Sequence, residues 1–553
     1  MSKKFVIVGG VAGGATTAAR LRRLNEDAEI ILIERGADIS FANCGLPYYI
    51  GGVIENRENL LAMTPSRFKN IFNIDVRTLS EVTKVDAENK KIFVKNSDAT
   101  YEENFDALVL SPGAKPLRPP IPGIDSKNIF TLRNVPDADE IKKIAEKFSD
   151  GKAVVIGGGF VGIETAENLR ERGLEVTLVE AVPHILAPFD DDIVEILEKE
   201  ISAHGINLIL NDGVKNFSEI DDKNLKITLS SGKEISANFV ILSIGVRPDT
   251  EFLKNSGIEL GERGHILVDE FLQEFCTAKN IFAVGDAVMT FDSLTGNKTA
   301  LALAGPANRQ GRLVADNISG KNKKYRGVIG SSILKIFDLT AAATGKNEKI
   351  LQREGKIFGE DYKFAITYPT SHATYYPGAE NFILKTIFSA KDGKILGAQA
   401  VGKNSVDKTI DLVASVLHFG GTIQDLQELE LTYAPPFSSA KAPINMAGYV
   451  LENIFENLSK PILPRDLKNK IESGAQIIDL RSPKLFEKNH IEGAINIPAE
   501  KLRANLDKLD KNREIILTCK TGLNGYFMEQ MLRGKGFKVK TLAGGNAYKN
   551  FVF

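Results

Sequence analysis

KFVIVGGVAGGATTAARLRRL (4–24) and KAVVIGGGFVGIETAENL (152–169) are the two stretches whose reading decides the fold. Each opens with an apolar, largely β-branched run, passes through a glycine cluster and continues as a helical pattern. In the second copy Gly157, Gly159 and Gly162 complete a G-x-G-x-x-G turn. In the first, Gly9 and Gly14 hold the outer positions, Val11 takes the middle one, and Ala12 and Gly13 lie between. Downstream, the runs IILI (30–33) and EVTLV (175–179) are followed at once by Glu34 and Glu180. A strand, a glycine turn, a helix and an acid at the next strand tip form a dinucleotide-binding unit. The glycines let backbone approach a pyrophosphate, the helix N-terminus holds its charge, and the acid accepts from a ribose hydroxyl. A carboxylate at position 180 favours the free ribose of NADH and repels the extra phosphate of NADPH. No arginine follows closely to reverse that preference.

At 553 residues the chain exceeds one hydrophobic core, so several domains are expected. An apolar content of 43% and a charged content of 25% are those of an ordinary globular protein. No apolar stretch approaches the ~18 residues a membrane span needs, so no membrane partner is expected. MSKKFVIVGG reads as a first strand and not as a leader peptide, because the apolar run ends in glycines and arginines follow. The expected location is therefore cytoplasmic. The cysteines Cys44, Cys276 and Cys519 lie too far apart for a disulfide framework, which fits a reducing compartment. The six histidines make no spaced pair, so no metal is expected. From Pro461 onward 17 Lys and Arg stand against 10 Asp and Glu, a net of +7, leaving −8 for residues 1–460. This uneven charge suits an anionic substrate or an acidic docking face, or is simply a solvated surface; no nucleic-acid partner is expected.

Cys44 sits in SFANCGLPYY (40–49), a short loop entering a helix, where terminal N–H groups are expected to lower a thiol pKa. A dithiol reductase would place its second cysteine at position 49, which is Tyr49. Cys44 is thus expected to cycle alone, through a mixed disulfide, persulfide or sulfenic acid. Cys276, in EFLQEFCTAKN, has nothing nearby to activate it and is expected to be inert.

Two glycine turns about 150 residues apart, with LVLSPGAKP (108–116) and NIFAVGDA (280–287) in order between and after them, resemble the two-dinucleotide flavoprotein disulfide reductases. The first-turn string, SFANCGLPYY, HATYYPGA (372–379) and LTYAPPFSSAKAPINMAGY (431–449) resemble the coenzyme A-disulfide reductases over essentially all of residues 1–450. The resemblance implies an α/β fold with two Rossmann-like domains. FAD is expected in 1–150 and 246–325, NADH in 151–245, and an α+β dimerisation domain in 326–450. It implies FAD contacts from Gly9, Val11, Ala12, Gly13, Gly14, Glu34, Arg35, Asn43, Ser111, Gly113 and Asp286, the last on the ribityl chain. NADH is expected at Gly157, Gly159, Val161, Gly162, Glu164, Glu180 and Gly245. Coenzyme A is expected at Thr16, Arg20, Arg23, Ser40 and Asn43, with Arg20 and Arg23 three apart on one helix face. One departure is Phe72, where a lysine is expected; Arg67 or Lys69 are the nearby cations. By the same resemblance Tyr375 and Tyr433 reach Cys44 of the opposite subunit, which makes a homodimer part of the site. NADH peroxidases and oxidases, the rival reading, carry a histidine where this chain has Ala12.

SKPILPRDL (459–467) breaks the pattern, so 451–464 is expected as a linker and 465–553 as a small α/β domain. IIDLR (477–481), FEKNHIEGAINIP (486–498) and EIILTC (514–519) resemble rhodanese signatures, including Asp479, Arg481, His490, Gly493 and Ala494. The resemblance implies that Cys519 carries sulfane sulfur in the loop Lys520, Thr521, Gly522, Leu523, Asn524. The usual closing arginine is Asn524, and Lys520 is a point charge and not a bidentate fork. Two readings therefore stand for this module, persulfide relay and catalytically reduced docking. The whole implies an NADH- and FAD-dependent reductase of coenzyme A disulfides or persulfides; a sulfur-relay or redox-sensing scaffold is the alternative of another class.

Overall fold

The computed structural model describes residues 2–273 and 279–546 and divides into two compact units, 1–185 with 202–328, and 186–201 with 329–553. Cys276 lies outside the described residues.

The first unit holds two parallel five-stranded sheets. One runs Ile281–Ala283, Ala107–Leu110, Lys4–Val8, Glu29–Ile33, Asp75–Arg77. The other runs Asn207–Ile209, Glu175–Val179, Lys152–Ile156, Phe239–Leu242, Ile129–Phe130. Their central strands are apolar at nearly every position and buried on both faces, as parallel strands covered by helices must be. Helices Ala12–Leu24 and Phe160–Glu171 are the crossovers that follow the two glycine turns.

The second unit is built on a five-stranded antiparallel sheet, in the order Ser332–Ile336, Leu339–Gly345, Ile395–Gly402, Ile383–Ser389, Tyr362–Thr367. The helix Pro443–Phe455 belongs to the same unit and runs five residues into the span expected as linker. A four-stranded parallel sheet follows, Ile495–Asn496, Gln476–Asp479, Ile515–Thr518, Val539–Thr541. The chain that enters this last domain does not hang free. Ile462 N–H donates to Thr541 O at 2.9 Å, and Ala543 N–H returns to Ile462 O at 2.9 Å, so the entering segment pairs with the sheet edge.

Residues 186–201 group with the second unit, an excursion that the span 151–245 does not reveal in sequence. Within that unit a fully buried Lys385 meets Asp192 at 2.8 Å, Glu348 at 2.8 Å and Asp190 at 3.0 Å. Burial alone would lower the lysine pKa, but Asp192, Asp190 and Glu348 hold it above its ordinary value. Arg465 adds a second cation, 3.4 Å from Glu348. Removing one partner from such a cluster leaves buried charge uncompensated. Lys385→Met is therefore expected to cost about 3–5 kcal/mol of stability in urea unfolding, and a loss below about 1 kcal/mol would contradict this account.

Candidate active site

The two glycine turns are built alike. Gly9 N–H donates to Ile33 O at 2.8 Å, and Gly157 N–H to Val179 O at 2.8 Å, so each turn leaves its strand while still tied to the next. Gly9 and Gly157 have φ of +96° and +107°, and a Cβ at either would stand 2.0 and 2.3 Å from the carbonyl oxygens of Ser111 and Ser243. Gly14 and Gly162 press their helices onto the turn: a Cβ at either would lie 1.9 Å from the carbonyl of Gly9 or Gly157. At the middle position a Cβ on Gly159 meets no protein atom within 4 Å, which explains why Val11 is compatible with the same turn. Neither helix has a side-chain cap or an acid in its first turn. Their leading N–H groups therefore face the place where a pyrophosphate is held in such units.

Both strand-tip acids are oriented by their own turns. Glu34 accepts from Gly10 N–H at 2.8 Å and from Gly36 N–H at 2.8 Å. Glu180 accepts from Gly158 N–H at 2.6 Å and from Val182 N–H at 3.1 Å. Arg35 pairs with Asp249 at 2.5 Å. Ser111 N–H bonds Val8 O at 2.8 Å, Gly113 O accepts from Asp249 N–H at 3.0 Å, and Gly245 O accepts from Leu117 N–H at 2.9 Å. Asp286 is tied to Arg133 at 3.4 Å, and burial pushes its carboxyl pKa up against that cation. Arg133 also gives its carbonyl to Asn43 Nδ2 at 3.3 Å. Nothing in the order of residues marks Arg133, which stands 90 residues from Asn43.

Cys44 lies in the single turn Asn43–Gly45, just ahead of the six-residue helix Leu46–Gly51. The residue as a whole is exposed, yet its thiol is desolvated by the protein packed around it. Burial raises its pKa, and the Glu164 and Asp286 carboxylates raise it further. This corrects the expectation of a helix-lowered thiol: so short a helix has a weak terminal field, and desolvation with two facing acids outweighs it. Tyr49 fills the place of a second cysteine; its ring is covered by Lys142 at 4.0 Å and its hydroxyl bonds Asp139 at 3.0 Å.

Glu164, expected at the nicotinamide site, also faces the thiol from the helix Phe160–Glu171. Burial pushes its carboxyl up to about 7; a 3.4 Å hydrogen bond from Tyr48 opposes that rise and Glu167 adds to it. Val161, in the first turn of that helix, is exposed. Ser40, upstream of the cysteine, holds a left-handed φ of 48°, a strained conformation fixed by Ser40 N–H to Gly10 O at 2.8 Å and Ala62 N–H to Ser40 O at 2.9 Å.

Thr16 donates to Asn308 at 2.6 Å on the facing helix. Arg20 does not stand free for a phosphate: Nε and Nη2 hold the buried Asp316 at 3.1 and 2.9 Å. Arg23 is exposed beside it; desolvation, then Arg20 and Arg312, lower its pKa, which marks a crowded cationic face. Arg312 was not visible as part of this face in the sequence. Phe72 is packed against the core; the Lys69 ammonium bonds Asn73 at 3.3 Å, and Arg67 N–H caps onto Thr64 at 3.3 Å.

In the second unit Tyr375 and Tyr433, 58 residues apart, meet hydroxyl to hydroxyl at 2.6 Å. That bond raises the Tyr375 pKa. The pair is exposed, 74% and 46%, as is Phe437 at 70%; exposed apolar rings of this kind mark protein contacts. Cys519 is 3% exposed, and its sulfur accepts from Gly522 N–H at 3.1 Å and Gly525 N–H at 3.4 Å. Lys520, Leu523 and Asn524 point outward around it, with Thr521 half-buried. Asp479 and Arg481, paired at 2.7 Å, are buried; Asn546 N–H ties down the Cys519 carbonyl at 2.7 Å.

Two dinucleotide turns of one build, a lone thiol beside them and an antiparallel second-unit domain define a flavoprotein reductase that uses a pyridine nucleotide. Residues 3–311 match the family described as pyridine nucleotide-disulphide oxidoreductase, 331–443 its dimerisation domain, and 463–548 the rhodanese-like domain. A coenzyme A disulfide reductase of Staphylococcus epidermidis is 36% identical over 449 residues, 81% of this chain and 99% of that protein. The reduced Bacillus anthracis CoADR-RHD structure is 46% identical, with TM-score 0.96, covering 100% of this chain and 98% of that one. An NAD-dependent persulfide reductase from A. fulgidus is 34% identical, with TM-score 0.92 and 99% of both chains covered. The chain belongs to the pyridine nucleotide-disulphide oxidoreductases, among the coenzyme A disulfide reductase relatives that carry a C-terminal rhodanese-like domain. Among the described residues no helix is long and apolar enough to cross a membrane.

Above pH 7, where Glu164 is ionised, its removal takes one negative charge from the face of Cys44. Glu164→Gln is expected to move the midpoint of Cys44 alkylation to lower pH, followed by peptide mass spectrometry; an unchanged or higher midpoint contradicts the assigned cause.

Proposed function

We propose that this chain is an NADH-dependent reductase of coenzyme A disulfide and coenzyme A persulfide, working as a homodimer, with Cys44 as the redox sulfur. The observation that carries the reading is a lone thiol at the dinucleotide turns with an aromatic ring packed where a resolving cysteine would stand. The Gly9–Gly14 turn, Glu34, Ser111 and Asp286 would hold FAD, which would supply the two-electron relay between nicotinamide and sulfur. The remaining steps belong to the chain's own residues.

The Cys44 thiolate attacks coenzyme A disulfide and expels one coenzyme A thiolate, or attacks the carrier-bound sulfur of the persulfide and expels HS⁻. Both routes leave the same mixed disulfide between Cys44 and coenzyme A, so one site serves both substrates. Two electrons then break that bond, free the second thiol and regenerate Cys44. The balance is NADH + H⁺ + RSSR giving NAD⁺ and two RSH, or NADH + H⁺ + RSSH giving NAD⁺, RSH and H₂S. Tyr375 and Tyr433 of the partner subunit supply a proton to the departing thiolate; their exposed, mutually bonded hydroxyls support that role. Arg23, with Arg20 anchored by Asp316 behind it, binds the carrier's phosphates, and Thr16, Ser40 and Asn43 line its path. Glu180 selects NADH, because its carboxylate is fixed by Gly158 and Val182 N–H groups where a ribose phosphate would otherwise sit. Cys519 delivers or accepts sulfane sulfur; its two N–H donors support a stabilised thiolate or persulfide.

Cys44→Ser is expected to abolish NADH-driven reduction of coenzyme A disulfide, and Tyr375→Phe with Tyr433→Phe to slow it by about 10²-fold. Steady-state NADH consumption under anaerobic conditions measures both, and full activity in Cys44→Ser refutes the scheme. Glu180→Ala is expected to narrow the NADH to NADPH ratio of kcat/KM by about tenfold or more, the ~1.4 kcal/mol of one repulsive contact. A ratio that does not move refutes the selector role.

A further inference from the structure

One buried carboxylate ties the rhodanese-like domain to the chain that enters it. Glu529 is fully buried on the helix Leu523–Gly534. Its Oε2 accepts from the Ser459 hydroxyl at 2.8 Å and the Thr541 hydroxyl at 3.0 Å; its Oε1 accepts from Lys460 N–H at 3.2 Å. All three donors are neutral, and two come from the segment that leaves the helix Pro443–Phe455. The same rhodanese helix grips that region again. Tyr526 OH donates to Asn453 at 3.0 Å, Arg533 reaches the Asn457 carbonyl at 3.3 Å, and Gln530 bonds the Leu458 carbonyl.

From Glu529 the contacts lead to the sulfur. Thr541, bonded to Glu529, presents its methyl group where a Cβ on Gly525 would stand, at 2.5 Å. Gly525 N–H is the second donor to Cys519 Sγ, the longer of the two at 3.4 Å. Glu529 stands about one turn beyond Gly525 on the same helix, so a shift of the carboxylate moves the helix end that holds the thiol. Burying a carboxylate costs several kcal/mol unless hydrogen bonds compensate it, and an apolar residue would pack this helix at lower cost. What the carboxylate adds is direction: one oxygen joins the entering segment to the strand that props the cradle.

We propose that Glu529 is a positioning residue for Cys519, locking the sulfur cradle to the seating of Ser459 and Lys460, so that chemistry at Cys519 depends on the docked state of the entering segment. This rests on the reading of Cys519 as a sulfur-carrying thiol. A loosened entering segment releases Glu529, lets Thr541 and Gly525 drift, and withdraws an N–H from the sulfur. The sulfur then keeps one backbone N–H donor fewer, which leaves an anion there less stabilised.

The test uses the full-length flavoprotein. Ser459→Ala removes one hydroxyl outside the rhodanese sheet; Glu529→Gln keeps shape and removes charge. Cys519 alkylation against pH, read on its own peptide by mass spectrometry, needs no sulfur donor. In Ser459→Ala its midpoint is expected to move to higher pH. Sulfur transfer from inorganic polysulfide to cyanide is expected to lose about three- to tenfold in kcat with little change in KM. Ser459→Thr is expected to restore both, and NADH-driven reduction of coenzyme A disulfide to stay at the parent level. Wild-type alkylation profiles in both Ser459→Ala and Glu529→Gln overturn the proposal; if Glu529→Gln fails to fold, the profile of Ser459→Ala decides alone. A parent protein without polysulfide-to-cyanide transfer but with a Ser459-sensitive profile refutes the sulfur-carrying role and upholds the coupling.

Discussion

The absence of a side chain at Gly14 and Gly162 is the constraint from which the catalytic half of this protein is assembled. Each glycine lets a helix begin against the carbonyl of the turn before it, closer than any Cβ would permit. That approach aims uncapped N–H groups at the turn and fixes where the following strand ends. Glu34 and Glu180 are then held by the turns' own N–H groups, so acid, turn and helix end form one rigid unit, present twice. A larger residue at either position would separate these parts together. The Leu46–Gly51 helix packs against the Phe160–Glu171 helix, which carries the geometry of the Gly157–Gly162 turn to the neighbourhood of Cys44.

The two described cysteines show opposite ways of setting a thiol. Cys44 is surrounded by Glu164, Asp286 and packed protein, all of which favour its protonated form. Cys519 is buried but receives two backbone N–H groups, the arrangement that welcomes an anionic sulfur. Side chains set the first environment and backbone N–H groups the second.

Much of this was legible in the order of residues. The glycine turns, the strand-tip acids, the lone Cys44 with Tyr49, and the loop after Cys519 are local patterns, each spanning a few residues whose backbone geometry is dictated by Gly, by apolar period or by neighbouring sequence. The rhodanese-like domain was readable for the same reason. The pKa of Cys44 was misread, because the local helix terminus is visible in sequence while the facing carboxylates are not: Glu164 is 120 residues away and Asp286 is 242. Arg20 looked available for a phosphate because its partner, Asp316, belongs to a helix nearly 300 residues further on.

By itself, then, the sequence determined the classes of element, the two nucleotide turns and the placing of a lone Cys44 ahead of a short helix, since each depends on interactions that span one turn of chain. Only the tertiary structure decided which charges face that sulfur, which arginines remain free, that residues 186–201 group with the second unit, and that Glu529 joins Ser459 to Thr541. Those are choices of burial and long-range pairing. A side chain's charge is written in the sequence, but the energy of that charge depends on what folding brings beside it.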